Sequence, residues 1–216
     1  MSGRFTDRRE AGRLLGEALR RLGIPRDAIV LGLARGGVIV AAEVARALSL
    51  PLDVLVVRKL GVPGQPELAF GAIARGVRVL NEDLITELRL QPADIDRVTA
   101  AEQTELERRE TAYRAGRPPL DLRGRTAILV DDGLATGASM RAAVRAVREL
   151  GAARIIVAVP VAPADACAEL AAREPSIECL ALRTPEPFYA VGLWYRTFPH
   201  TSDAEVAEAL AAAARP

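Results

Sequence analysis

The stretch TAILVDDGLATGAS, residues 126–139, decides how this chain is read. Thr126–Val130 is β-branched and apolar, the composition of a buried strand. A helix is expected to follow from about Gly137 to Leu150. In open parallel sheets the ligand crevice lies at the carboxyl ends of the strands, where this turn would sit. Gly133 and Gly137 permit tight backbone geometry. Thr136, Ser139 and the amides at the helix start present donors to an anion, with Leu134, Ala135 and Ala138 completing the seat. Asp131 and Asp132 would repel a phosphate, so they need a different partner. Two acceptors beside a phosphate seat suit the vicinal hydroxyls of a ribose, or a metal holding them. The pattern therefore points to a sugar phosphate. An Asp-Asp-Gly turn and a Thr N-cap are each ordinary by themselves, but an ordinary turn does not need the whole combination. No Walker-type G-x-x-x-x-G-K-[ST] occurs, and no G-x-G-x-x-G follows the first strand.

Parallel-sheet grammar extends in both directions from this stretch. Upstream, Ala28–Leu33 is a short apolar run ending in Ala34, Arg35, Gly36 and Gly37. Val38–Leu50 reads as a buried helix, and Val54–Val57 as a strand closed by Arg58 and Lys59. Residues 6–22 carry Ala11, Leu14, Leu15, Ala18, Leu19 and Leu22 at helical spacing. Downstream come a strand at Arg154–Val159, a helix at Pro163–Arg173 and a strand at Ile177–Leu182. Asp203–Ala214 reads as a last helix, capped by Thr201 or Ser202. Between the halves, Gly61, Pro63, Gly64 and Pro66 mark irregular chain. Leu68–Ile73 and Val77–Leu80 could pair as a hairpin. Residues 82–116 are mostly helical with a break near Gln91-Pro92, and charges cover most of that surface. The sum is an α/β fold of about five parallel strands: one domain over 1–216, a core at about 28–182, a helical insertion at about 82–116 and a tail at about 186–216.

Composition limits the chemistry. The 216 residues fit one domain better than two. With 29 basic and 28 acidic side chains, the molecule has no overall attraction for nucleic acid or membrane, and neither is expected as a partner. Cys167 and Cys179 cannot make a disulfide framework and match no metal signature. With His200 as the single histidine, a site needing several His or Cys ligands is excluded, although oxygen-ligated magnesium is not. No apolar run reaches the roughly 20 residues of a membrane span. The first residues are charged where a signal peptide would be apolar, so a cytoplasmic protein is expected. Of the basic residues 28 are arginine and one, Lys59, is lysine.

VDDGLATGAS, Val130–Ser139, resembles the phosphoribosyl-diphosphate (PRPP) signature of the type I phosphoribosyltransferases. LGLARGGVIVA, Leu31–Ala41, is similar to the loop in which that family meets the diphosphate. VVRKLG, Val56–Gly61, resembles the strand end leading into its flexible loop, and PELAFGAIA, Pro66–Ala74, the hairpin that closes over the substrates. The ELERRETAYR helix, Glu105–Arg114, and the long tail resemble a subgroup of unsettled substrate.

The resemblance implies transfer of a phosphoribosyl group to a base or amine with release of diphosphate. It assigns Arg35, Gly36, Gly37, Arg58 and Lys59 to the diphosphate, and Ala135–Ser139 to the 5-phosphate. Asp131 and Asp132 would hold the ribose hydroxyls. Mg²⁺ would be held mainly by PRPP oxygens and water, with no protein cage. Glu67 is either a proton carrier for the nucleophile or an exposed loop acid. A homodimer is implied too. The acceptor pocket could draw on Phe5, on the 82–116 insertion, or on the tail with Phe188, Tyr189, Trp194, Tyr195 and Phe198. Those aromatics could equally cover the sheet edge. A PRPP-binding regulator and a hydrolase in the same pocket are the alternatives to transfer. Lys59 is expected to matter as a compact point charge that the planar fork of arginine cannot copy.

Overall fold

The computed structural model describes residues 3–114 and 116–213, apart from the side chain of Glu67. Five strands form a parallel sheet in the order β2-β1-β6-β7-β8: β1 (Ile29–Leu33), β2 (Leu52–Leu55), β6 (Thr126–Val130), β7 (Arg154–Val161) and β8 (Ile177–Arg183). The side-chain period of 2 splits them between two cores. Val30, Val54, Ile128 and Ile156 face one layer, built by α1 (Arg8–Arg20), α2 (Gly36–Leu48) and α7 (Asp203–Ala213). Leu31, Leu55, Leu129 and Val157 face the other, built by α5 (Ala138–Glu149) and α6 (Ala166–Arg173). The central strands β1 and β6 are buried at every position, which is why their sequence is continuously apolar.

Three differences from the sequence reading concern the first half. The run 54–57 is not one strand: β2 stops at Leu55, and β3 (Val57–Val62) starts a separate antiparallel sheet with β4 (Gln65–Ala74) and β5 (Val77–Leu80). Arg58 and Lys59 therefore lie within a strand. An apolar run carries no mark of a change of sheet. The helix expected from Val38 starts earlier, at Gly36, which brings the Gly-Gly pair into its first turn. Along α1, Ala11, Leu15 and Leu19 are buried, whereas Leu14 is exposed, as is Leu22 beyond the helix end.

The middle segment forms α3 (Glu82–Glu87) and α4 (Pro92–Arg114), broken where Gln91-Pro92 indicated. Only Leu106 and Tyr113 of α4 are buried, so the helix lies on the body along a narrow seam. Cys167 and Cys179, too few for a framework, are joined to each other and tie α6 to β8. The last helix is capped by Ser202, whose hydroxyl accepts from the Glu205 amide at 3.2 Å while the Glu205 carboxylate accepts from the Ser202 amide at 2.8 Å. Ala214, placed in that helix by its periodicity, lies outside the described residues. Among the described residues no helix is long and apolar enough to cross a membrane.

Candidate active site

Two turns meet at the carboxyl edge of the parallel sheet. Adjacent strands β1 and β6 end at Leu33 and Val130, and their following segments run side by side. After β1 the chain reverses through Ala34-Arg35, joined by a cis peptide, straight into α2. After β6 it passes through Asp131–Thr136 to Gly137, whose φ of 72° is left-handed and suits a residue without Cβ, and so into α5. Contact between the turns requires glycine on one side. A Cβ on Gly36 would overlap Asp132 Oδ2, and one on Gly37 would stand 2.7 Å from the Val130 carbonyl oxygen. The Gly-Gly pair thus lets two helix N-termini and two carboxylates share one edge.

A cleft of about 770 Å³ opens there. Arg35, Gly36, Arg58, Lys59, Asp131, Asp132 and Ser139 all line it. Ala135, Thr136, Gly137 and Ala138 face an adjoining cavity of about 360 Å³, which Leu134 also lines and which Lys59 borders as well. Gly37 and Gly133 do not line either space. Gly37 lies beneath Val130 and Asp131, and Gly133 packs against the Val191 side chain. Glu67 is placed on β4 between Pro66, which lines the cleft, and Leu68, which lines the cavity; its side chain lies outside the described residues.

The two carboxylates differ in their restraints. Asp132 Oδ2 accepts from Arg8 Nε at 2.8 Å, and the Asp132 carbonyl accepts from Tyr195 Oη at 2.5 Å. Arg8 is itself fixed, donating to the Pro199 carbonyl at 2.7 Å and lying 3.8 Å over the Phe198 ring. Asp131 Oδ1 accepts the Asp132 amide at 2.8 Å. Burial pushes the Asp131 carboxyl well above the usual carboxylate range, and the neighbouring Asp132 charge adds to this; Lys59 and Arg8 pull the other way. Burial also raises Asp132, with Arg8 opposing it. Tyr195 is raised by burial and then by Asp132, so its hydroxyl stays a donor.

Arg35 stands 3.7 Å from Asp203 at the start of α7. Asp203 also accepts from Tyr113 Oη at 2.6 Å, and burial helps raise that phenol to about 12. Arg58 pairs with Glu102 of α4 at 2.6 Å, so its charge is committed in part to holding the insertion against β3. Five cationic side chains (Arg35, Arg58, Lys59, Arg97 and Arg109) line the cleft with three carboxylates (Glu102, Asp131 and Asp132), a balance that favours a polyanion.

Sequence reasoning missed Arg8, Glu102 and Asp203, and named Tyr195 as an aromatic of the tail but not as the donor that holds Asp132. Each acts across a long sequence separation, and no local spacing marks such a pairing. Among the described residues no aromatic side chain lines the cleft. Phe5 and Tyr195 pack with Phe188, Trp194 and Phe198 in a small core of their own, while Tyr189 is 79% exposed. The far wall of the cleft is α4, through Arg97, Val98, Ala101, Glu102 and Arg109.

Comparison with known proteins agrees with this arrangement. The family model described as the phosphoribosyl transferase domain matches residues 63–185, which include the Asp-Asp turn, α5 and the antiparallel hairpin. The chain belongs to the phosphoribosyltransferase family. Curated proteins from two strains of Mycobacterium tuberculosis, named provisionally as phosphoribosyl transferases, are 51% identical over 203 residues. The match covers 94% of this chain but 45% of each of those proteins, so the chain spans about half their length. A crystal structure of the Thermus thermophilus protein TT1426 is 46% identical, covers 96% of this chain and 97% of its own, and superposes with a TM-score of 0.79. A Neisseria gonorrhoeae protein crystallised with bound ppGpp shares the fold at 15% identity, with a TM-score of 0.51 and coverage of 98% of both chains. The five-stranded parallel sheet flanked by helices is thus the fold of this phosphoribosyltransferase domain.

Proposed function

We propose that this phosphoribosyltransferase domain transfers the phosphoribosyl group of PRPP to a nitrogenous base or amine. The new bond joins the acceptor nitrogen to ribose C1. The C1–O bond to diphosphate breaks, its electron pair leaves with the diphosphate, and the nitrogen gives up a proton. One observation carries the reading: Asp131 and Asp132 share a cleft with Arg35, the α2 N-terminus and Lys59, beside the Ala135–Ser139 turn. Anion donors on two sides of a carboxylate pair match a ribose phosphorylated at both ends.

Each group then has a task. The Gly36 amide, Arg35 and Lys59 stabilise charge growing on the departing diphosphate, with Arg58 adding what its ion pair leaves free; Gly37, which lies beneath the cleft floor, lets the two turns approach. Asp131 and Asp132 accept from the ribose hydroxyls and favour positive charge developing at C1. Arg8 and Tyr195 keep Asp132 in register. The turn at 135–139 anchors the 5-phosphate. Two adjacent carboxylates, both raised by burial and Asp131 also by the Asp132 charge, suit a hard oxygen-seeking cation. Mg²⁺ would be held mainly by PRPP oxygens and water, with the carboxylate pair facing it. When bound, the ion supplies charge neutralisation at the diphosphate. The α4 wall offers charge and hydrogen bonds but no ring to stack on, so the acceptor is held by polar contacts. Cytoplasmic action as a homodimer completes the proposal.

The test is diphosphate release from PRPP and Mg²⁺ across a panel of bases and amines, with wells lacking acceptor or protein as controls. Release with one acceptor class, and loss of PRPP binding in the Asp131→Asn/Asp132→Asn double variant, would support transfer. PRPP binding without release would replace transfer with sensing. Unchanged affinity of the double variant in calorimetry would refute the site.

A further inference from the structure

Among the described residues each arginine that lines the cleft has a carboxylate within ion-pair distance. Arg97 has Asp94 at 2.7 Å and Arg109 has Glu105 at 2.6 Å, both neighbours on α4. Arg58 and Arg35 take theirs from distant elements. Arg58 of β3 turns Nε and Nη2 onto one oxygen, Oε2 of Glu102 on α4, each at 2.6 Å. That edge of the guanidinium is the one that would fork onto a phosphate. Arg35, just before α2, stands 3.7 Å from Asp203 of α7, beyond hydrogen-bonding distance. Asp203 is itself held, accepting from the buried Tyr113 at 2.6 Å and from Arg108 at 3.5 Å, so it stays in place if Arg35 turns away.

Exposure separates these two pairs from the Arg8–Asp132 pair. Arg8 and Asp132 are 10% and 17% exposed, and parting them would strand both charges. Arg58 and Glu102 are 25% and 27% exposed, and Arg35 and Asp203 36% and 42%. Water receives whichever partner is released, and exchange costs little. We propose that Glu102 and Asp203 are built-in competitors of the diphosphate: each gives up one arginine as the anion binds and reclaims it as the anion leaves. The proposal rests on the reading that Arg35 and Arg58 face diphosphate in this cleft. Uncommitted arginines would hold that polyanion tightly after the C1–O bond has broken. The two carboxylates lower its affinity and so hasten its escape. One comes from α4 and the other from α7, so binding is also coupled to the contacts these helices make with the body.

Inorganic diphosphate is the probe, with binding measured by calorimetry at fixed ionic strength. Glu102→Gln and Asp203→Asn remove the charge but keep an oxygen that accepts from the same donor, and thermal unfolding checks that each is folded. The first should tighten binding about fivefold or more and the second about twofold or more. The pairs share no partner, so the double variant should gain the product of the two factors, about tenfold or more. Glu178→Gln, which removes the same charge from a pair with Arg154 at the amino end of the sheet, should bind like the parent. If the two pairs served only to strap α4 and α7 to the body, the variants would lose stability and bind diphosphate no more tightly. Unchanged or weaker binding by either folded variant would therefore overturn the proposal. So would an equal gain in Glu178→Gln, or failure of both the parent and the double variant to bind. A parent too weak to measure beside a double variant that binds would support it. Tightening without phosphoribosyl transfer to any acceptor would refute the transferase reading and leave the competition intact, whereas transfer with parent-like affinities in the variants would do the reverse.

Discussion

Gly36→Ala is the sharpest single perturbation of this architecture. The added methyl would overlap Asp132 Oδ2 and lie 2.9 Å from both Asp132 Cγ and Arg8 Nε. Ordinary carbon contacts are about 3.5–4 Å, so the carboxylate oxygen must retreat by roughly 1.5 Å. That movement separates an ion pair whose side chains are 10% and 17% exposed. Overpacking costs about 1–3 kcal/mol, and breaking a fully buried pair about 3–5 kcal/mol, of which partial exposure leaves only a share. Alanine recovers up to about 1 kcal/mol of helix propensity over glycine. The expected destabilisation is about 2–4 kcal/mol, or about 5–15 °C in Tm for a chain of this size. PRPP affinity should fall with it, because the displaced carboxylate belongs to the cleft. Urea unfolding supplies the free energy, and a double-mutant cycle supplies the cause. In an Asp132→Ala background the obstructing oxygen is gone, and Gly36→Ala should then cost less than about 1 kcal/mol. An equal penalty in both backgrounds would refute the argument that Gly36 is required by Asp132.

Two further expectations follow from the charges. Asp131 is raised above its ordinary value of 3.8, so the folded protein holds that proton more tightly than the unfolded chain, and stability falls as pH rises from 3.8 through the raised value. Asp131→Asn should therefore be more stable than the parent at neutral pH while losing PRPP binding, with the advantage vanishing toward pH 3.8; an Asn variant less stable than the parent at neutral pH would exclude a carboxylate strained by burial. Lys59→Arg should leave unfolding within about 0.5 kcal/mol of the parent, since Lys59 is exposed, and should lower turnover at least about tenfold. A fully active variant would return Lys59 to ordinary surface chemistry.

The reach of the sequence is clearest in the segment 126–139. Strand, turn and helix there are local: buried strands must be continuously apolar, a tight turn needs glycine, and a helix start needs free amides. Those requirements are written in adjacent residues, and the same holds for the break at Gln91-Pro92; Gly36 and Gly37 are visible in the sequence, but the need for them comes from Asp132 and Val130 across the edge. Lys59 is an intermediate case. Its rarity made it conspicuous, but only the fold places it within an antiparallel strand, between a cleft and a cavity.

What the tertiary structure alone decided are the pairings across sequence distance. Arg8 clamps Asp132 from 124 positions away, Tyr195 from 63, and Arg58 meets Glu102 across 44. Phe188, Trp194, Tyr195 and Phe198 could have lined the cleft or formed a core, and packing put them in a core, while α4 residues line the cleft. Backbone geometry is set by neighbours a few bonds away and leaves a local record in the residues. Charge pairing depends on distances in space, which exist only once the sheet and its helices have assembled.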